Sequence, residues 1–323
     1  MLSEFDLIDR YFTRPAAPAA SAVALGIGDD CALLTPAAGM TLAISTDMLV
    51  EGRHFLPGAE PTALGHKSLA VNLSDLAAMG ARPLAFTLAL ALPAARAEWL
   101  APFSQGLLAL ADQYGCALVG GDTTKGPLTI CITVFGELPA GTALRRDGAR
   151  AGDDLWVSGT LGDARLALAG LRGELALEAG AQRAAETRMD QPEPRVALGL
   201  ALRGIADAAI DISDGLAGDL AHLLRRSGVG ATLDADALPA GPVLATQPLP
   251  LRRRFTLSGG DDYELCFAAP PARRAAVLAA ANDAATAVTR IGRIDAEPGL
   301  RLRDGGGGAL QLQPDSFDHF TTP

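Results

Sequence analysis

Most of the chemistry that this sequence could perform lies in short acidic segments. Each places aspartate beside glycine, serine or threonine: Gly28-Asp29-Asp30, Ser45-Thr46-Asp47, Ser74-Asp75, Gly121-Asp122-Thr123-Thr124, Asp211-Ile212-Ser213-Asp214 and Gly260-Asp261-Asp262. Two carboxylates about 4 Å apart repel by roughly 4 kcal/mol at an effective dielectric constant near 20, so converging carboxylates need bound cations or shifted pKa values. Magnesium prefers oxygen ligands and is commonly held by carboxylates together with substrate phosphates. The segments therefore predict a site for magnesium and phosphate.

Taken singly, each segment is also ordinary turn or helix-cap chemistry, because Asp next to Gly, Ser or Thr is common there. Asp75 is the weakest alone. It belongs with Ser68 and Asn72 to a polar stripe on a predicted helix over 62–79, and such a stripe is usually solvated. The recurrence of these segments is what favours a shared site.

Several other kinds of site are poor fits. A P-loop needs glycine directly before lysine, whereas the only lysines are Lys67, which follows His66, and Lys125, which follows Thr124. The sequence also lacks a G-x-G-x-x-G segment after a strand, a G-x-S-x-G segment, and histidines at zinc-ligand spacing from cysteines. A net charge of −10, from 27 Lys and Arg against 37 Asp and Glu, argues against a nucleic-acid surface.

Strands that alternate with helices must position the acidic segments, and this alternation predicts α/β architecture. Helices are expected over 4–13, 62–79 and 96–114, and strands over 41–45, 117–119, 128–138, 154–158 and 208–210. The apolar run 255–257 is interpreted as another such strand, leading into Ser258-Gly259-Gly260. Several aspartates then follow strands directly, where ligands bind in open α/β sheets.

The length of 323 residues predicts two domains. The boundary is expected in the Gly-rich and charged stretch 139–153, which gives domains over 1–142 and 143–323. Ser-Asp and Gly-Gly-Asp recur in both halves, which suits two distantly similar units. The cysteines are scattered, and three of the four lie in apolar runs, which predicts buried reduced thiols. The acidic start and the short apolar run 84–92 predict a cytoplasmic protein outside the membrane.

Taken in order, the motifs resemble those of the thiamine-monophosphate kinase family, from about residue 4 to the closing Phe317-Asp318-His319-Phe320. The segments that carry the resemblance are Gly26-Ile27-Gly28-Asp29-Asp30-Cys31-Ala32, Ser45-Thr46-Asp47-Met48-Leu49-Val50-Glu51-Gly52-Arg53-His54-Phe55, Val119-Gly120-Gly121-Asp122-Thr123-Thr124, Asp211-Ile212-Ser213-Asp214-Gly215-Leu216 and Ser258-Gly259-Gly260-Asp261-Asp262-Tyr263-Glu264-Leu265. The resemblance implies a two-domain α/β fold of the α+β type, like that of aminoimidazole ribonucleotide synthetase. It also implies a homodimer built through the N-terminal domains, and the conversion of thiamine monophosphate and ATP into thiamine diphosphate and ADP.

The resemblance also implies roles for individual residues. The positions that match metal ligands, for several Mg²⁺ ions, are Asp30, Ser45, Thr46, Asp47, Asp75, Asp122, Asp211 and Asp214. The positions expected to bind ATP are Gly121, Asp122, Arg146 and Ser213, and those near the thiamine substrate are His54, Asp261 and Phe317. Asp47, Asp122 and Asp214 are the candidate catalytic residues. The domain over 1–142 would carry the metal and ATP site and the dimer interface.

Two alternatives stay open at this point. One is another ATP-using enzyme of the same superfold, such as a selenophosphate synthetase or a hydrogenase-maturation dehydratase, although the tail after His319 lacks the cysteine that the latter uses. The other is a relative that binds nucleotide or metal without turnover. For the kinase, we expect direct in-line transfer without a general base, because an acceptor phosphate is already ionised at neutral pH.

Overall fold

The computed structural model describes residues 4–14 and 22–311, and the chain divides into two compact units. The first unit is Met1–Leu76 with Ala81–Gly141, and the second is Thr142–Pro323 with Ala77–Gly80. Phe317, a predicted substrate contact, lies outside the described residues. Within the described ranges, no helix combines the length and the apolar character needed to cross a bilayer.

The first unit is built on a four-stranded sheet in the order β3-β6-β4-β5, with a short β1-β2 pair beside it. Its helices are α1 (Glu4–Tyr11), α2 (Pro61–Ala78) and α3 (Ala97–Tyr114). Its strands are β1 (Val23–Leu25), β2 (Leu33–Leu34), β3 (Met40–Val50), β4 (Arg82–Leu92), β5 (Ala117–Lys125) and β6 (Thr129–Pro139). Strands β3, β6 and β4 are antiparallel, and β5 runs parallel to β4.

Alternation along the strands separates the two faces of this sheet. One face is buried and carries Phe86, Leu90 and Ile132, and Leu76 of α2 packs on the same side against Gly136. The other face leaves large apolar side chains of β3 exposed, with Ile44 at 60% and Met48 at 55% relative accessibility. We call this second side the open face.

Two glycines set the distance between α2 and α3. A Cβ built on Gly106 would overlap the carbonyl oxygen of Thr62, and one built on Gly65 would overlap that of Phe103. The helices therefore cross with their backbones in contact, which holds α2 in one position.

The second unit contains a six-stranded sheet in the order β12-β9-β11-β7-β10-β8. Its strands are β7 (Asp154–Ser158), β8 (Ala208–Asp211), β9 (Gly230–Asp234), β10 (Leu265–Ala269), β11 (Val288–Asp295) and β12 (Gly299–Arg303). Its helices are α4 (Asp163–Leu171), α5 (Ala179–Asp190), α6 (Val196–Leu202), α7 (Leu216–Ser227), α8 (Leu249–Ser258) and α9 (Arg274–Asp283). A buried cluster that includes Leu155, Ile210, Leu220 and Cys266 forms its main core.

Four expectations from the sequence are wrong in detail. Residues 255–257 end helix α8 and are not a strand, because three apolar residues cannot distinguish a strand from the last turn of a helix. Asp47 and Asp122 lie inside β3 and β5 and not after them. Ser68 and Asn72 of the polar stripe on α2 are buried and not solvated, each being 1% exposed, and Asp75 is half-buried. Of the cysteines, all of which are free, Cys31 is exposed and Cys131 is only half-buried.

The glycine contact between α2 and α3 gives a test of the first unit. Gly106→Ala should lower the free energy of unfolding by roughly 1–3 kcal/mol, because the added methyl group cannot fit against the main chain of Thr62. Gly180→Ala is the matched control, because Gly180 of α5 has open space at its Cβ, and it should be neutral or stabilising by up to about 1 kcal/mol. Urea unfolding would measure the stability of both variants. Equal stability would show that the backbone contact between α2 and α3 does not require glycine at position 106.

Candidate functional site

Strand β3 and helix α2 bring three of the predicted metal ligands together. The hydroxyl of Ser45 donates a hydrogen bond to Oδ2 of Asp75, and the backbone N–H of Asp47 donates to Oδ1 of Asn72 at 3.1 Å. Ser45 and Asp47 are two residues apart in an extended strand, so their side chains leave the same face, toward α2. The negative charge of Asp47 reaches the neighbouring strand, where burial first and then this charge raise the pKa of Cys131. This group of oxygen atoms is the acidic centre of the first unit.

Thr46 and Asp122 lie on the open face of the sheet. The hydroxyl of Thr46 is 2.8 Å from that of Thr133 on β6, and Asp122 is exposed on β5. Because β3 and β5 are the two edges of the sheet, Asp47 and Asp122 are separated by three interstrand spacings, or about 14 Å across the sheet. A single copy of the first unit therefore does not bring these two carboxylates together.

Gly121 precedes Asp122 at a point that no other residue could occupy without strain. Its φ is +152°, and a Cβ there would overlap the main chain of Leu88 on β4. The glycine therefore lets β5 lie close to β4 just before Asp122.

Asp30 and His54 lie on turns of the first unit. Asp30 is exposed on the loop between β1 and β2, where its N–H bonds to the carboxylate of Asp29 at 2.8 Å. His54 lies in the turn after β3, and its Nδ1 accepts the backbone N–H of Val50 at 2.9 Å. Since Nδ1 acts as an acceptor, the proton of the neutral imidazole is on Nε2. His54 can thus present a donor to a ligand.

In the second unit, the segment Asp211–Asp214 is held by a carboxylate that the sequence analysis did not single out. Asp211 is buried at the end of β8, and Oδ2 of Asp219 accepts the N–H groups of Ser213 at 3.0 Å and Asp214 at 3.1 Å. Burial, with the Asp214 carboxylate adding to it, raises the pKa of Asp219 to about 7, and the charge of Arg146 opposes the shift. Asp214, Asp219 and Arg146 therefore lie near one another.

The loop that carries Asp261 is bonded to the same segment through the backbone. The N–H of Asp261 donates to the carbonyl of Ser213 at 2.8 Å, and that of Tyr263 donates to Ile212 at 2.8 Å. Asp261 and Tyr263 both have positive φ values, of 64° and 50°, which cost free energy for residues other than glycine. The predicted substrate residue Asp261 is thus placed beside the predicted nucleotide residue Ser213.

Glu264 anchors this strained loop, and sequence reasoning missed its role. The carboxylate is fully buried and accepts hydrogen bonds from Ser158 at 2.6 Å, Arg188 at 3.1 Å, and Arg195 at 2.6 and 2.7 Å. Burial alone would lower the pKa of Arg195, but its hydrogen bonds with Glu264 outweigh burial and raise it. The available signal was an acidic residue directly before the apolar strand β10, because a carboxylate that is buried there needs hydrogen-bond partners.

Asp262, the second aspartate of this loop, faces inward. Its Oδ1 accepts the N–H of Gly162 at 2.8 Å, and its buried Oδ2 has no hydrogen-bond partner among the described residues. Burial raises the pKa of Asp262 well above the ordinary value. The residue is therefore a structural support of the loop, and its burial disfavours the charged form.

The donor set of the first unit fits a hard divalent cation. Ser45, Asp47 and Asp75 offer hydroxyl and carboxylate oxygens, which magnesium prefers over nitrogen or sulfur donors. Within residues 4–14 and 22–311, no group of three or more His, Cys, Asp or Glu side chains is already arranged to hold a metal. The chemistry fits magnesium, with hydroxyl groups and ligand phosphates supplying further oxygens.

Comparisons with known proteins agree with the resemblance. The family described as AIR synthase related protein matches with its N-terminal domain over residues 28–138 and with its C-terminal domain over 150–305. A thiamine-monophosphate kinase of Salmonella typhimurium is 47% identical over 329 residues, which covers 99% of each chain. These similarities confirm the predicted fold class of two domains with mixed sheets and helices.

Two solved structures are similar over most of the chain. The crystal structure of the thiamine-monophosphate kinase from Stenotrophomonas maltophilia has a TM-score of 0.84 at 46% identity and covers 90% of this chain and 93% of its own. The structure of AaThiL complexed with AMPPCP and TMP has a TM-score of 0.77 at 32% identity, covering 88% and 89%.

The Glu264 cluster gives a test of how the loop is held. Glu264→Gln should lower the free energy of unfolding by roughly 3–5 kcal/mol, because it removes the fully buried negative charge that pairs with the mostly buried guanidinium groups of Arg188 and Arg195. Glu193→Gln is the matched control, because Glu193 pairs with the same Arg195 but is 65% exposed, and it should cost at most about 1 kcal/mol. Denaturant unfolding measures both variants, and a Glu264→Gln variant as stable as the control would show that the cluster does not hold the loop.

Proposed function

Because this chain belongs to the thiamine-monophosphate kinase family, we infer that it transfers the γ-phosphoryl group of ATP to thiamine monophosphate, giving thiamine diphosphate and ADP. The observation that carries this function is 47% identity, over 99% of both chains, to a thiamine-monophosphate kinase. The protein is accordingly a phosphotransferase with ATP as co-substrate. A similar structure holds AMPPCP, which resembles ATP, together with TMP.

We propose that several Mg²⁺ ions bind with the substrates, and that Asp30, Ser45, Thr46, Asp47, Asp75, Asp122, Asp211 and Asp214 hold them. The support is the oxygen-only donor chemistry, with Ser45 and Asp75 already in contact. Bound magnesium would supply positive charge that reduces the repulsion between two polyanionic substrates.

In the proposed mechanism the side chains position the two substrates and do not exchange protons with them. An ionised oxygen of the acceptor phosphate forms a bond to the γ-phosphorus, while the bond from that phosphorus to the β–γ bridging oxygen breaks and its electron pair leaves on ADP. Arg146 and Ser213 would contact the nucleotide. His54 would donate Nε2–H to the thiamine substrate, and Asp261 would lie beside it. Asp47, Asp122 and Asp214 would act as the central carboxylates.

We also propose a homodimer formed through the N-terminal units. The exposed side chains of Leu42, Ile44 and Met48 on the open face are the support, because contiguous exposed apolar surface favours association. If edge strand β3 of one copy meets edge strand β5 of the other, the edges that carry Asp47 and Asp122 come side by side. This arrangement would unite ligands that one copy keeps at opposite edges. The proposed location is the cytoplasm.

The first test is catalytic. Incubation with ATP, Mg²⁺ and thiamine monophosphate should yield thiamine diphosphate by chromatography, and a chiral γ-phosphate should be inverted by the direct transfer. Asp47→Asn should lower kcat by roughly 100-fold or more, because it removes charge from the metal site while keeping the shape. Omission of Mg²⁺ should abolish turnover. Failure to form product would reject the kinase assignment and favour a binding-only relative, and retention of configuration would reject direct transfer.

The second test addresses assembly. Ile44→Asp should convert the dimer to a monomer in analytical ultracentrifugation, because it buries a charge in the proposed interface. Leu278→Asp is the matched control, since Leu278 on α9 is also large, apolar and 53% exposed, and it should leave the mass unchanged. A dimer that survives Ile44→Asp would place the interface elsewhere.

A further inference from the structure

We propose that Asn72 is a positioning residue of the active site, which fixes the main chain of Asp47 and thereby the direction of its carboxylate. Asn72 lies on helix α2, three residues before Asp75, and was expected from the sequence only as part of a solvated stripe. The proposal rests on the proposed function, because it takes Asp47 to be a magnesium ligand.

The contact lies at the outer edge of β3. Among the described strands, β3 is at the end of the sheet and pairs in that sheet with β6. Alternate N–H groups of an edge strand have no partner in the ladder. The N–H of Asp47 is one that points away from β6, and it donates to Oδ1 of Asn72 at 3.1 Å. Asn72 thus replaces the missing strand at the residue whose side chain would bind metal.

Hydrogen bonds fix both the oxygen and the nitrogen of the Asn72 side-chain amide. Nδ2 of Asn72 donates to the carbonyl oxygen of Ser68, one turn earlier on α2, at 3.0 Å. Turning the amide over would set an N–H group against the N–H of Asp47 and oxygen against the oxygen of Ser68, so only one orientation satisfies both contacts. Asn72 is 1% exposed, and water cannot readily take over either bond. The side chain is therefore a fixed link between α2 and β3.

The neutral charge of the link matters as much as its shape. Asp47 and Asp75 already place two carboxylates near this end of the polar stripe, and residues three apart on a helix share a face. An aspartate at position 72 could still accept the N–H of Asp47, but its other oxygen would face the carbonyl of Ser68. It would also add a third negative charge. Asparagine is the residue type that positions the ligand without changing the charge of the site.

The fixed position of helix α2 makes the link between Asn72 and Asp47 effective. Gly65 and Gly106 hold α2 against α3 by backbone contact, so the helix cannot shift to accommodate a loose strand. Two side chains of α2 then reach β3 at neighbouring points: Asn72 bonds to the main chain of Asp47, and Asp75 bonds to the hydroxyl of Ser45. Residues that orient metal ligands in this way typically change metal affinity or activity by about 10- to 100-fold when they are replaced.

The test compares Asn72→Ala and Asn72→Asp with Ser104→Ala in the full-length protein. Ser104 is a matched control, because its buried hydroxyl bonds only within its own helix, to the carbonyl of Ala101 on α3. Two readouts do not need turnover. One is hydrogen exchange of the Asp47 amide in the metal-free protein, and the other is the Mg²⁺ concentration that half-saturates the rise in Tm with AMPPCP present.

For Asn72→Ala we expect faster exchange at Asp47 and a half-saturating Mg²⁺ concentration raised about 10-fold or more, with kcat reduced at ordinary Mg²⁺. Raising Mg²⁺ should restore part of that kcat. Asn72→Asp should protect the amide better than Asn72→Ala, yet still alter the Mg²⁺ dependence through its added charge. Ser104→Ala should match the wild-type protein in both readouts, whatever its Tm.

Two results would overturn the proposal. Unchanged exchange at Asp47 in Asn72→Ala would show that the hydrogen bond does not hold the strand, and an unchanged Mg²⁺ dependence would show that the bond has no effect on the metal. Asp47→Asn separates this failure from that of the proposed site. If Asp47→Asn loses Mg²⁺ dependence while Asn72→Ala keeps it, only the positioning role fails, whereas wild-type behaviour of Asp47→Asn, or no Mg²⁺-dependent shift in the wild-type protein, removes both.

Discussion

On the proposed function, the central constraint on this protein is that its acidic segments must hold their carboxylates in fixed positions beside two phosphate-bearing substrates. The chain fixes two of these segments by tying each one to a neighbouring helix. In the first unit, helix α2 accepts hydrogen bonds from Ser45 and from the main chain of Asp47. In the second unit, Asp219 accepts two amides of the segment before α7. Each of the two segments is thus held by a helix. Helix α2 bonds to the neighbouring strand β3, and Asp219 of α7 bonds to the segment that directly precedes its own helix.

Much of the fold follows from local pattern, and the exceptions have physical causes. Helix α2 could be predicted because Leu69, Leu73 and Leu76 repeat at helical spacing. In the structure all three are fully buried. Residues 255–257 were misassigned because a short apolar run fits a strand or a helix end equally well. Whether Asn72 is solvated depends on what packs over α2, and that is set by β3, which comes from a different part of the sequence. Single-sequence periodicity carries no information on such a contact.

The candidate site could be predicted as a set of residues but not as an arrangement. The motif segments identify the acidic positions because glycine, serine and aspartate recur in a fixed order. They do not reveal that Asp47 and Asp122 occupy opposite edges of one sheet, because local sequence does not determine the order of strands in a sheet. Nor do they reveal the support that Glu264 gives to the loop around Asp261, since its partners Arg188 and Arg195 are about 70 residues away in the chain.

The hydrogen bonds of Asp219 have a consequence for how a nucleotide can be recognised. Many phosphate-binding proteins leave the amides at a helix start empty until an anion arrives. Here Oδ2 of Asp219 accepts the amides of Ser213 and Asp214, just before α7, so the loop that carries these two predicted ligands is already folded in the free state. Binding at this loop then need not bear the entropic cost of ordering it.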